Sequence, residues 1–175
     1  MAESNLKILY ITQKVGTSDP ILSVFFKWLN LIAKRAQKVN AVCLEKGETL
    51  GIESNINVIS LGKERGEGKR GKIRNFYAKL IPLFRNKEVD VIFVHMSEIF
   101  VLLIWPLAFI YRKPIVWWKA HGNLSFKSKI ARYLVKNIIT SSESGFPINT
   151  KKRIITGQGI DTDMFSFTES NEQVK

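Results

Sequence analysis

Seven short apolar runs, rich in isoleucine and valine, punctuate this chain, and most are separated by stretches with helical periodicity. They are LKILYIT (6–12), VNAVCL (39–44), INVISLG (56–62), VDVIFVH (89–95), PIVWWKA (114–120), NIITSS (137–142) and RIITG (153–157). Continuous runs of this kind suit strands covered on both faces, and strands alternating with helices build a parallel sheet. The expected fold is therefore α/β: a Rossmann-like, doubly wound parallel sheet of about seven strands with helices on both faces. Helices are expected at 20–37, 71–86, 98–111 and 126–136. In the first, Asp19 would cap the helix and Pro20 open it, with Ile21, Phe25, Trp28, Leu29 and Ile32 sharing one face. No helix is expected between the second and third strands, where EKGETLGIESN reads as a loop or hairpin.

At 175 residues the chain suits one well-buried core, and 45% hydrophobic residues make it globular rather than disordered. The net charge of +12 is concentrated. Residues 63–87 hold nine Lys/Arg against Glu64 and Glu67, and residues 119–153 hold eight against Glu143. Clustered cations point to phosphate-bearing partners, such as nucleic acid, anionic lipid or a diphosphate-linked sugar, or else to a solvated face. GKERGEGKRGK (62–72) reads as a mobile loop. After it, Ile73, Phe76, Tyr77, Leu80, Ile81 and Phe84 fall on or near one helical face, which would either meet a membrane or cover the sheet.

Cys43 is the only cysteine, which suits a reducing compartment, and the N-terminus lacks the pattern of a signal peptide. The most apolar stretch, IFVLLIWPLAFIY (99–111), is short of the roughly twenty residues of a membrane span. It reads as a buried helix, with an interfacial segment as the alternative. A cytoplasmic location is expected, with a peripheral place on the inner face of a membrane left open.

In doubly wound sheets, ligands sit at the carboxyl ends of the strands, where the strand order reverses. If the chain winds outward through strands two and three and then crosses back, TQKVGTSD (12–19), HMSE (95–98) and AHGN (120–123) line that crevice. His121, followed by Gly122 at a turn, is the candidate catalytic residue, since imidazole can bond a sugar hydroxyl or phosphate or carry a proton. Lys14, Gly16, Asp19, His95, Ser97 and Gly122 are the candidate substrate-binding residues. Gly16 lies where backbone amides and a helix N-terminus would receive an anion. Alternative roles are open for several of them: Asp19 as a helix cap, Gly16 as a turn residue, His95 as a structural histidine. Neither the three-glycine dinucleotide fingerprint nor a phosphate-binding P-loop is present, and no His/Cys spacing suits zinc. No metal site and no cofactor are expected. Trp117 and Trp118 would point to opposite faces of their strand, each packing under helices.

Read in order, the opening strand with its polar loop and apolar helix, DVIFVHM, PIVWWKAHG, NIITSSESGFPI and above all RIITGQGIDTDMF resemble the N-terminal domain of GT-B fold glycosyltransferases, in particular glycosyltransferase family 4. The likeness runs over residues 5–165. It implies transfer of a sugar from a nucleotide-sugar donor to a carbohydrate or lipid-linked acceptor, usually with retention and without an essential metal. It also implies a second domain that holds most of the donor. By position, His121 matches the family histidine that reaches the transferred sugar, and Gly16 the first-loop glycine near the diphosphate and acceptor. Many members have two adjacent glycines in that loop, where this chain has KVGTSD.

The resemblance implies that residues 1–165 form the acceptor-side domain, that Gly159 and Asp161 enter an interdomain linker, and that 166–175 begin the linker or a tail. Such a domain would be inactive without its donor-binding half. Two other classes stand beside it: a non-enzymatic Rossmann-like partner subunit, and a basic anion- or nucleic-acid-binding module, for which no nucleic-acid motif is found.

Overall fold

The structure, a computed structural model, describes residues 5–17, 23–157 and 159. The strands are β1 (Lys7–Val15), β2 (Lys38–Lys46), β3 (Ile56–Ser60), β4 (Val91–His95), β5 (Ile115–Trp118), β6 (Asn137–Thr140) and β7 (Arg153–Ile155). They form one sheet in the order β3-β2-β1-β4-β5-β6-β7, with every adjacent pair parallel. The helices are α1 (Ser23–Ala33), α2 (Lys69–Arg85), α3 (Glu98–Ile110) and α4 (Phe126–Leu134). This is the expected Rossmann-like α/β architecture, and the order reverses between β1 and β4.

Successive strand residues face opposite ways, so the sheet carries two cores. On one face, Leu9, Ile11, Val42, Ile92, Val94 and Trp117 are covered by α2, α3 and α4. On the other, Tyr10, Val39, Ala41 and Cys43 meet Phe26, Leu29 and Ala33 of α1. The stripe of α2 answers the question its composition raised. Phe76, Leu80 and Phe84, spaced by four residues, are buried on the sheet, Lys79 between them turns in to donate to the Ser60 carbonyl, and Lys69, Arg70, Arg74 and Arg85 are exposed. Each such burial contributes roughly 1.5–3 kcal/mol.

Of the two alternatives expected between β2 and β3 the structure takes the loop, and three local departures from the sequence reading have physical causes. β3 runs parallel to β2 (Val39↔Ile56, Val42↔Ile59), so the link is a loop and not a hairpin. It needs no helix because it leans on α1: the Asn30 side-chain amide donates to the Gly51 carbonyl at 2.9 Å, and its oxygen accepts the Glu53 N–H at 3.1 Å. The same loop ends α1 early. Asn55 Nδ2 donates to the carbonyls of Ala33 and Ala36 at 2.8 and 2.9 Å, capping the helix short of residue 37. The expected mobile loop at 62–72 is in part a 3-10 turn (Lys63–Arg65) and in part the first turn of α2. Its Glu64 carboxylate accepts the Ser60 hydroxyl at 2.6 Å. Finally, β1 continues to Val15, because Lys14 and Val15 pair with Glu45 and Lys46.

Helix ends are closed by side chains and by left-handed residues. α2 and α3 finish in turns where Lys87 (φ 57°) and Arg112 (φ 51°) take a position that normally favours glycine. In each, paired bonds close the turn: Glu88 N–H to Leu83 O and Lys87 N–H to Phe84 O, then Lys113 N–H to Ala108 O and Arg112 N–H to Phe109 O. The Lys152 ammonium instead caps α4, donating to the carbonyls of Arg132, Tyr133 and Val135. Among the described residues, no helix is long and apolar enough to cross a membrane.

Candidate functional site

Because β1, β4, β5 and β6 are consecutive neighbours, the turns after them line one edge of the sheet. The turn after β5 therefore lies about two strand spacings, roughly 10 Å, from the loop after β1. In doubly wound sheets this reversal edge is where the ligand crevice is expected.

The first two residues after β1, Gly16 and Thr17, are fixed from the side. Gly47 N–H donates to the Val15 carbonyl at 2.9 Å, and Thr17 N–H to the Glu48 carbonyl at 3.0 Å, so the loops after β1 and β2 are zipped together. Gly16 is buried in that zipper. A Cβ there would stand 3.0 Å from the Gly47 Cα and 3.2 Å from the Glu48 carbonyl oxygen. Close backbone approach thus accounts for the glycine. Lys14 stands within β1 and not in the loop, ion-paired with Glu45 at 3.1 Å, and Lys63 reaches the other oxygen of the same carboxylate at 2.9 Å. Asp19 lies outside the described residues.

The turn after β4 is strained and held from both sides. Met96 is left-handed (φ 63°), a costly conformation for a residue with a side chain. Its N–H donates to the Trp118 carbonyl at 2.8 Å, and its own carbonyl accepts the Trp117 indole N–H at 3.1 Å. Ser97, half-buried, is the N-cap of α3, and its hydroxyl makes no capping bond. The Ser97 hydroxyl is suited to a sugar hydroxyl, whereas the first-turn amides are already engaged in part: the Phe100 N–H donates to the Ser97 carbonyl at 3.2 Å and the Glu98 N–H to its own carboxylate. His95 lies beneath them, 2% exposed, with Nδ1 and the Thr12 hydroxyl 3.1 Å apart. Its ring stacks on Trp118 and packs against Phe25. Burial pushes its pKa down to about 4, so it is neutral at physiological pH and supports the floor of the crevice.

The turn after β5 carries the other candidates. His121 is exposed, and its Nδ1 accepts the Asn123 N–H at 3.3 Å. In the neutral ring this bond leaves the proton on Nε2, which is then a donor facing outward. Gly122 has an ordinary φ and is there for space: a Cβ would come within 2.7 Å of the Ser144 carbonyl oxygen in the turn after β6. Gly145 does the reverse, since a Cβ there would meet Thr140 Oγ1 at 2.4 Å and the Ala120 Cα at 3.3 Å. The β5 and β6 turns therefore interlock through two glycines.

One feature of the site was invisible in the sequence. Glu98, in the first turn of α3, grips both ends of the His121 turn. One carboxylate oxygen lies 3.2 Å from the Lys119 ammonium, and the other accepts the Ser125 hydroxyl at 2.7 Å. Lys119 is 8% exposed and lies over the Trp117 ring, while Ser125 caps α4 through the Ser128 N–H. Burial raises the Glu98 pKa, but the bonds from Ser125 and the attraction of Lys119 outweigh it and hold the carboxyl below its ordinary value. No spacing rule links residues 98, 119 and 125; only the β4–β5 pairing does.

Of the remaining candidates, Gly159 is exposed and Asp161 lies outside the described residues. Trp117 and Trp118 do face opposite cores, against Phe146 and against Trp28 respectively. Among the described residues no cluster of His, Cys, Asp or Glu is arranged to hold a metal ion. A cavity lined by Lys7, Lys38, Asn55 and Glu88 lies at the opposite, N-terminal end of the strands and touches none of these groups.

No protein-family model matches the chain, and no curated protein matches it. Solved structures do share its fold. Anabaena HepE, crystallised in complex with UDP and glucose, superposes with a TM-score of 0.60 at 15% identity, over 94% of this chain and 47% of its own. MurG of Acinetobacter baumannii gives 0.55 at 12% identity, over 89% of this chain and 46% of its own. A UDP-N-acetylglucosamine 2-epimerase gives 0.61 at 12% identity, over 88% and 48%. The chain thus spans about half the length of each of these three proteins.

Proposed function

We propose that this chain is the acceptor-side half of a two-domain, GT-B type glycosyltransferase of the family 4 kind, moving a sugar from a nucleotide-sugar donor to a carbohydrate or lipid-linked acceptor with retention. The observation that carries the reading is the placement of three turns, after β1, β4 and β5, along the reversal edge of a sheet shared with a protein crystallised with UDP and glucose. In this reading the exposed Nε2–H of His121 donates to a hydroxyl of the transferred sugar. The Ser97 hydroxyl meets the diphosphate or acceptor, beside loops that Gly16 and Gly122 let pack closely on their neighbours. His95, beneath the floor, keeps the Met96 turn in place. The donor is held mainly by a second domain, entered through Gly159 and Asp161, and the reaction belongs to the assembled pair. The location is cytoplasmic.

The experiment is a transfer assay with UDP-sugars on the 175-residue chain alone and on the chain joined to its donor-binding half. Alone it should transfer no sugar; measurable transfer would overturn the half-enzyme reading. In the assembled enzyme, His121→Ala should lower kcat by about a hundredfold or more, as loss of a preorganised donor at the reacting sugar does. Unchanged kcat would remove His121 from the chemistry.

A further inference from the structure

The outer sides of α3 and α4 carry large apolar side chains that lie open. Phe109 and Ile110 at the end of α3 are 70% and 68% exposed, and Trp105 one turn earlier is 37% exposed. On α4, Phe126, Ile130 and Tyr133 form a second exposed stripe at i, i+4 and i+7. The two helices pack against each other, so both stripes belong to one side of the molecule. Beside them runs a groove of about 900 Å³ lined by Trp105, Phe109 and Ile110 together with Arg112, Lys113 and Lys136. Isolated exposed apolar residues are ordinary, but a run of this extent marks a surface that meets something.

The charge on this side identifies what it meets. Between Glu98 and Glu143 the chain contains no Asp or Glu, while Arg112, Lys113, Lys119, Lys127, Lys129, Arg132 and Lys136 all fall in the interval. Lys119 is consumed by Glu98, and Lys113 faces Asp90 at 3.6 Å. The others accompany the exposed aromatics. Aromatic and aliphatic side chains bordered by cations suit the boundary between acyl chains and anionic headgroups, where rings and methyl groups enter the apolar layer and ammonium groups reach the phosphates. A nucleic acid would satisfy the cations but would leave Ile110 and Ile130 without a counterpart.

We propose that the α3–α4 side docks this domain on the surface of an anionic lipid bilayer. The groove lies at the N-terminal end of β5, near Pro114 and Ile115, whereas the crevice lies at the C-terminal ends of the strands. Docking therefore leaves the crevice open, and Phe126 at the start of α4 brings the lipid surface close to the turn that carries His121. The proposal does not depend on the sugar-transfer reading.

Cosedimentation of the full chain with vesicles of phosphatidylcholine, alone or mixed with phosphatidylglycerol, tests it, with tryptophan emission as a second signal. The chain should sediment with the mixed vesicles, less so in high salt, and its emission should shift to the blue by an amount that Trp105→Phe removes. Phe109→Ser combined with Ile130→Ser, both exposed positions, should weaken binding about tenfold with an unchanged circular dichroism spectrum. Lys127→Glu should weaken it at least about fivefold. The proposal is overturned if mixed vesicles bind no better than neutral ones, or if the apolar double variant binds as the parent does. It is also overturned if a duplex oligonucleotide competes the chain off vesicles and binds the double variant undiminished.

Discussion

His95 ties the stability of this domain to pH. Its folded pKa is near 4, whereas the unfolded imidazole titrates near 6.5, so between these values the unfolded state takes up a proton that the folded state refuses. The contribution of the neutral ring is complete above pH 6.5 and is lost as pH falls towards 4, up to about 3 kcal/mol. Urea midpoints from pH 7.5 to 4 should fall steeply for the parent and less so for His95→Gln; parallel curves would show that the ring titrates in place. Glu98 acts lower on the scale. Its carboxyl lies below its ordinary value, so its stabilisation is full above about pH 4.5 and fades below it. Glu98→Ala should cost about 2–3 kcal/mol at pH 7, because it strands a buried Lys119, and Glu98→Gln less, because Ser125 keeps an acceptor. Matched unfolding curves at pH 7 and 3 separate the two. Both histidines were legible as strand-end residues, but their difference was not. His95 ends the strand proper and is sealed by Phe25 and Trp118, while His121 lies three residues past its strand's end and is free of them.

At the scale of elements, periodicity carried far, because β1, β2, β4 and β5 are buried on both faces and every helix has a stripe to hide. What it could not carry were the ends, which depend on distant partners: Asn55 stops α1, Lys152 stops α4, and pairing with β2 prolongs β1. Two helix ends also break the usual chemistry by placing Lys87 and Arg112 in left-handed turns. Lys87→Gly should therefore raise stability by about 1 kcal/mol, since the turn is kept and the Cβ clash is removed. A higher urea midpoint with an unchanged m-value is the expected result, and a lower midpoint would mean that the lysine side chain contributes more than its backbone costs. The Met96 turn is the third such break and had no signal, because methionine rarely marks a positive φ.

At the scale of the whole molecule, the strand order follows from alternation plus one return across the sheet, and it alone brings residues 16, 97 and 121 to a common edge. The charge is arranged as deliberately as the chain. Lys69, Arg70, Arg74 and Arg85 of α2 are exposed around a stripe that covers the sheet, whereas the cations of α4 share their side with open aromatics, so equal local charge serves two different surfaces. The paired glycines 16 and 47 carry a consequence of their own. Because each backbone rests against the other, the position of Gly16 and Thr17 is written partly in a connection more than thirty residues away. Lengthening or stiffening the stretch from 47 to 55, which touches no candidate site residue except through that contact, should re-aim the mouth of the crevice. The edge that carries His121 could thus be reshaped from a distance, with His121 and its neighbours untouched.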